Sequence, residues 1–324
     1  MSLPDAATVP PPAPVPPRPP VDRATLRLAL VVGGLVIALI AGFGLGRVVD
    51  PAPASAPPAG GDQAADHTHP PGTAPHEHGA GAGAAGRTGA DPVGLSLSAA
   101  GYTLAPTATQ LAAGARQDFR FRIVGPDAKP VTTFAIVHDK PLHLIVARRD
   151  LSGYQHLHPT MAPDGTWSVP LTLPQPGVWR AYADFTVNDA TGGQTELTLG
   201  VDLAAAGTYA PRPLPAPARE AAVDGFTVGY EGTPRVGAVA PLLFRVFRDG
   251  APAAGLERYL GAYGHLVVIR EGDLGYVHVH PEAQLSDGAV KFWLALPGPG
   301  RYRMFFDFQV AGEVRTAEFT AVVP

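Results

Sequence analysis

Two segments of the chain, HLIVARRDLSGYQHLHP (His143 to Pro159) and HLVVIREGDLGYVHVHP (His265 to Pro281), each set a histidine thirteen residues ahead of a His-x-His-Pro, in a sequence holding 11 histidines. Alternate side chains of a strand share a face, so His156 and His158 point together, as do His278 and His280. The short RRDLSG and REGDLG connections predict hairpins that return each pair beside His143 or His265, with Cβ atoms about 4.5 to 8 Å apart. Three imidazoles on one face suit Cu(II) or Zn(II), with a fourth position left to water or another side chain. The expected metal ligands are therefore His143, His156 and His158 in one segment and His265, His278 and His280 in the other, with copper as the first choice of ion and zinc as the alternative.

Further candidates surround these. His138 lies five residues before His143, and its counterpart is Leu260, so only the first segment has a fourth histidine nearby. That odd spacing puts His138 on the opposite strand face unless a bend at Asp139 to Pro141 redirects it. Met161, just after HLHPT, offers a soft ligand for Cu(I), against a plain packing role. His67, His69, His76 and His78 form two more His-x-His pairs in a segment of Ala, Pro and Gly, where a mobile metal-loading arm competes with a polar spacer. Asp184 and Asp307, in matched WRAYAD and YRMFFD strands, either accept a ring N–H behind a ligand or form surface ion pairs with Arg180 and Arg303, the latter being the simpler reading. The competing account of the His-x-His-Pro motifs is a hydrogen-bonded corner in which backbone groups satisfy the imidazoles and proline stops the strand.

The elements that must position these groups follow from an internal repeat. FRFRI at Phe119 matches LLFRV at Leu242, GYQHLHP matches GYVHVHP, and LPQPGVWRAYADF (Leu173 to Phe185) matches LPGPGRYRMFFDF (Leu296 to Phe308), at offsets of 122 or 123 residues. Runs such as QDFRFRIV, LHLIVA and TWSVPLTL alternate with period two, and PDG, SDG and RDG turns punctuate them. The expected fold is all-β: two tandem immunoglobulin/cupredoxin-like antiparallel β-sandwich domains, at 92–204 and 222–324, joined by a proline-rich linker at 205–221.

Ahead of them the sequence predicts a proline-rich disordered cytoplasmic tail (1–27), one transmembrane helix (28–48) and a disordered His-rich linker (49–91). Leu28 to Gly46 carries no charge over 19 residues, a helix of about 28 Å that matches the hydrocarbon core. Arg18, Arg23 and Arg27 precede it, so the N-terminus is expected in the cytoplasm and the repeats outside, on a single-pass anchor; a cleaved signal peptide ending near Ala54 is the alternative. The formal charge of −4 and the absence of arginine-rich runs exclude a nucleic-acid partner. With no cysteine, disulfides and thiolate-ligated metals, blue copper included, are closed. No phosphate loop, nucleophile elbow or dinucleotide fingerprint is present, neither repeat carries the later histidine of a cupin-type metalloenzyme, and the chain is expected not to be an enzyme.

The paired HLIVARRDLSGYQHLHP and HLVVIREGDLGYVHVHP segments, with LPQPGVWRAYADF and VRTAEFTAVV, resemble bacterial membrane-anchored or secreted proteins related to YtkA-like and cupredoxin-like domains, over about Gly94 to Val323. The resemblance implies export, a β-sandwich and heavy-metal handling, with the six motif histidines as the matching residues. The expected function is extracytoplasmic transition-metal binding for buffering, delivery or sensing. The alternative is a metal-free interaction or assembly module that binds another envelope protein and keeps its histidines for structure.

Overall fold

The computed structural model describes residues 92–188 and 193–324. The expected tail, transmembrane helix and His-rich linker, with His67, His69, His76 and His78, lie outside the described residues. Among the described residues no helix is long and apolar enough to cross a membrane.

The first repeat holds ten strands: β1 (Ser98–Ala99), β2 (Tyr102–Pro106), β3 (Gln110–Leu111), β4 (Arg116–Val124), β5 (His143–Arg148), β6 (Gln155–Leu157), β7 (Thr160–Met161), β8 (Thr166–Thr172), β9 (Gly177–Asn188) and β10 (Gln194–Ala205). They form two sheets, ordered β1-β2-β4-β8-β7 and β3-β10-β9-β5-β6, antiparallel except where β3 joins β10. The second repeat holds β11 (Glu220–Val223), β12 (Phe226–Glu231), β13 (Ala240–Arg248), β14 (Ala251–Pro252), β15 (Leu256–Glu257), β16 (His265–Arg270), β17 (Tyr276–Val277), β18 (Val279–Pro281), β19 (Val290–Leu294), β20 (Gly300–Val310) and β21 (Glu313–Val323). Its sheets run β11-β12-β13-β19-β18, with β14 on β13, and β15-β20-β16-β17, with β21 on β20. The chain is thus two β-sandwiches built on one repeated plan.

Alternation places the cores. In β4, Phe119, Phe121 and Ile123 point inward while Asp118, Arg120 and Arg122 are exposed, and they meet Trp167, Leu171, Leu144 and Val146 between the two sheets. Phe244, Phe292, Phe306 and Phe319 do the same in the second repeat. The histidine strand departs from simple alternation, since every residue of β5 is buried. Its other face is covered too: Ile145 and Ala147 pack with Val267, Ile269, Tyr182, Tyr276 and Phe305 in a third apolar cluster shared by the two repeats.

That third cluster is built from equivalent positions. Tyr154 stacks on Phe305 with ring centroids 4.1 Å apart and planes 5° apart, and Tyr276 lies 5.4 Å from Tyr182 in the reciprocal place. Val93 bonds the backbone of Tyr276 in both directions at 3.0 Å, and the Tyr182 hydroxyl donates to the Leu274 carbonyl at 2.7 Å. The β5/β9 and β16/β20 sheets therefore face each other about an approximate two-fold axis.

Candidate metal centre

The β5–β6 hairpin pairs Leu144 with Leu157 and Ile145 with His156, a register that sets His158 opposite His143. Gly153 permits the tight return. Its φ is +68°, and a Cβ there would sit 2.5 Å from the Trp179 indole. As a result the rings of His143, His156 and His158 gather, with centroid separations of 5.3, 5.1 and 4.8 Å. One nitrogen from each lies within 4.8 Å of the others. Imidazoles sharing one tetrahedral ion at metal–nitrogen distances of about 2.0–2.1 Å hold their centroids roughly 5 Å apart.

Hydrogen bonding fixes which nitrogens face inward. His143 Nε2 lies 3.1 Å from the Val137 carbonyl; a carbonyl only accepts, so this nitrogen carries the proton and Nδ1 presents a lone pair. His156 Nδ1 lies 2.8 Å from Asp307 Oδ2 and donates to it. His143 Nδ1 and His156 Nε2 then face each other at 3.0 Å. In two neutral rings both would be lone pairs, so either a proton or a cation must lie between them. His158 Nε2 is buried with no hydrogen-bond partner, which is costly unless a ligand satisfies it.

Asp307 comes from the second repeat and is 2% exposed. Besides His156 it accepts from the Tyr154 hydroxyl at 2.9 Å and the Thr316 hydroxyl at 2.6 Å. A carboxylate behind a ligating histidine fixes its ring and raises its basicity. The surface ion-pair reading of Asp307 and Asp184 is overturned: Arg303 pairs with Glu318 and Arg180 with Asp202, while half-buried Asp184 accepts from Thr198 at 2.8 Å. An aspartate four residues after an Arg on the same strand looks like half of a solvated ion pair in sequence; the facing sandwich that covers it leaves no local signal.

The electrostatics keep His143, His158 and His265 neutral. Burial, reinforced by charge at His156, pushes His143 down to about 2 and His158 down to about 4. Burial followed by charge at His138 and His156 takes His265 down to about 3. Neutral imidazole is the ligating form.

The second trio does not assemble as the first does. His265 repeats the His143 arrangement, donating Nε2–H to the Tyr259 carbonyl at 2.8 Å, but its ring lies among the first repeat's histidines, 6.0 Å from His156 and 6.4 Å from His143. His278 pairs instead with Glu196 of the first repeat at 2.9 Å, and exposed His280 sits 4.5 Å from His278. The cause is an early change of sheet: the chain leaves β17 after Val277 and joins β19 as β18, where His280 pairs with Trp293. Among the described residues the ligand group that satisfies the distances is His143, His156 and His158 alone.

His138 is redirected by a two-residue turn. His138 and Asp139 both have positive φ (49° and 58°) between the mutually bonded Val137 and Lys140, the pattern of a type I′ turn. The parity objection therefore falls, and the His138 ring lies 5.2 Å from His265 and 6.1 Å from His143. Met161 pairs with Trp167 and packs against the first core, away from a ligand role.

Among solved structures, a mutant Salmonella alpha-2-macroglobulin matches at 14% identity and TM-score 0.25 over 72% of this chain and 15% of its own. FdeC, an Escherichia coli adhesin, matches at 15% identity and TM-score 0.22 over 71% of this chain and 66% of its own. The bacterial integrin-binding protein invasin matches at 14% identity and TM-score 0.19, over 68% and 39%. The chain thus spans less than two thirds of each of these structures. No curated protein matches. Residues 97–202 and 221–324, which correspond to the two sandwiches, each match one family, and the chain belongs to it: Domain of unknown function (DUF8832).

Proposed function

We propose that this protein binds one transition-metal ion, copper by first choice and zinc by second, through His143, His156 and His158, and that it buffers, delivers or senses the ion rather than catalysing a reaction. One observation carries the reading: two ring nitrogens face each other at 3.0 Å with their outer nitrogens already committed as donors, beside a third ring whose Nε2 is buried and unpartnered. An all-nitrogen set of neutral rings suits Cu(II) or Zn(II). In this reading the repeats work outside the cytoplasm behind the single membrane span expected at 28–48, with the His-rich linker as loading arm. The sandwiches are taken as immunoglobulin/cupredoxin-like.

A second reading is favoured by the bonds of His143, His156 and His265 to Val137, Asp307 and Tyr259. In it the imidazoles form a polar seam in a metal-free module that docks on another envelope protein. The full chain without an affinity tag, with His67, His69, His76 and His78 replaced by Asn, separates the two. Cu(II) or Zn(II) should bind at one equivalent and raise the melting temperature, a stabilisation of about 2.7 kcal/mol at a hundredfold excess over Kd, and His143→Ala should abolish both. An unchanged melt with no retained ion would leave the seam.

A further inference from the structure

We propose that His265 of the second repeat supplies a fourth imidazole to the ion held by His143, His156 and His158, so that the metal ties the two repeats together. This rests on the reading that the trio binds a transition metal.

The case begins with equivalence. His143 on β5 and His265 on β16 occupy matched positions, each donating Nε2–H to the carbonyl six residues earlier, Val137 and Tyr259. Both rings therefore offer Nδ1 as the coordinating atom. Because the two strands face each other across the shared apolar cluster, these matched histidines meet at its edge. His265 stands 6.0 Å from His156 and 6.4 Å from His143, roughly an ångström beyond the centroid spacing of a shared tetrahedral ion. A modest ring movement closes that gap.

The rival ligands are committed elsewhere or less firmly held, although the His138 ring lies 6.1 Å from His143. His278 is held by Glu196. His138 projects from a turn, whereas His265 is 6% exposed and begins a strand buried along nearly its whole length. Rings fixed by packing and by a carbonyl behind them make the more exact ligands. Four imidazoles would close the coordination sphere, leaving no open position for water, as in storage or structural sites rather than catalytic ones. Asp307, bonded to His156, supplies countercharge, again from the second repeat.

The test uses the full chain with the four linker histidines replaced by Asn, and Zn(II) as the probe. Affinity is measured by chelator competition for the parent, His265→Gln, which retains an N–H for the Tyr259 carbonyl, and His138→Ala. Backbone hydrogen exchange of the parent is followed with and without Zn(II). We expect His265→Gln to weaken binding at least tenfold, His138→Ala to weaken it less, and Zn(II) to slow exchange in β16 and β20 as well as in β5. Parental affinity in His265→Gln, or protection confined to the first repeat, would overturn the fourth ligand and leave the trio standing. Failure of the parent to bind Zn(II) or Cu(II) would remove both.

Discussion

Asp307 of the second repeat accepts the Nδ1–H of His156 of the first at 2.8 Å, so the ring at the centre of one repeat's hairpin is oriented by a carboxylate 151 residues away. The reciprocal contact, Glu196 of the first repeat with His278 of the second, completes an exchange across the pseudo-two-fold axis. Exact symmetry is broken because Glu196 has no acidic counterpart: the matched pairing of β20 with β21 puts Val314 opposite Gln309.

Replacement of Asp307 by Asn tests the first of these contacts. The carboxylate accepts three hydrogen bonds in a buried site, and an amide would turn an N–H toward donors and leave His156 without its charge partner. Losing hydrogen bonds to a buried charged group costs about 1.5–3 kcal/mol each. Asp184→Asn, which loses the charge opposite one hydroxyl in a half-buried site, should cost about 1 kcal/mol. Urea unfolding of the two variants should show this inequality, and equal losses would contradict it.

The Glu196–His278 pair gives stability a basic limit. Burial works against charge on His278, but the Glu196 carboxylate and its hydrogen bond outweigh it and push the imidazole up to about 9. A folded value above the unfolded 6.5 means the gain is complete below about pH 6.5 and disappears as pH rises through about 9. Glu196 is half exposed, so solvent screening keeps the gain modest. The difference in melting temperature between the parent and Glu196→Gln should be largest near pH 6 and vanish by about pH 10. A gap that widens with pH would exclude this pairing.

Much of this arrangement was legible in sequence. The repeat, the strands and the His143 hairpin follow from spacing and alternation, because pairing within a hairpin depends on local chain geometry. His138 stood as a weaker candidate because a straight strand would turn it away, and the two successive positive-φ residues, His138 and Asp139, make the bend that redirects it. That Asp307 serves His156 and Glu196 serves His278 across the repeats escaped for another reason. These partners lie on the other sandwich, and alternation says which face a residue takes without saying what covers it. One clue was available: the apolar Leu144-to-Ala147 run, like Leu266-to-Ile269, is the mark of a strand covered on both faces. The early exit of β17 into β18 has no comparable signal, since GYQHLHP and GYVHVHP are nearly the same string.

Acid should destabilise the metal-free protein through the cluster. With folded values of about 2, 3 and 4 for His143, His265 and His158 against 6.5 unfolded, the unfolded chain takes up protons that the folded chain refuses. Stability is therefore intact above about pH 6.5 and falls as pH drops through 6 and 5 toward 4. Urea unfolding of the metal-free protein between pH 7 and pH 4 should show this loss, and stability that holds or rises on acidification would contradict it.

The apolar cluster between the sandwiches makes the final case, because it decides whether the histidines meet at all. Phe305 is fully buried against Tyr154, Ile145 and Val267, and its loss removes ring stacking together with about 3–5 kcal/mol of burial and packing. Phe305 also belongs to β20, which carries Asp307 two residues on. Phe305→Ala should then do more than lower stability. If the cluster couples the repeats, the parent unfolds in one calorimetric transition and the variant in two, with Zn(II) affinity falling as the Asp307 carboxylate loses its position behind His156. Two well-separated transitions in the parent would mean that each sandwich stands alone, and the cross-repeat contacts would then be too weak to organise a metal site.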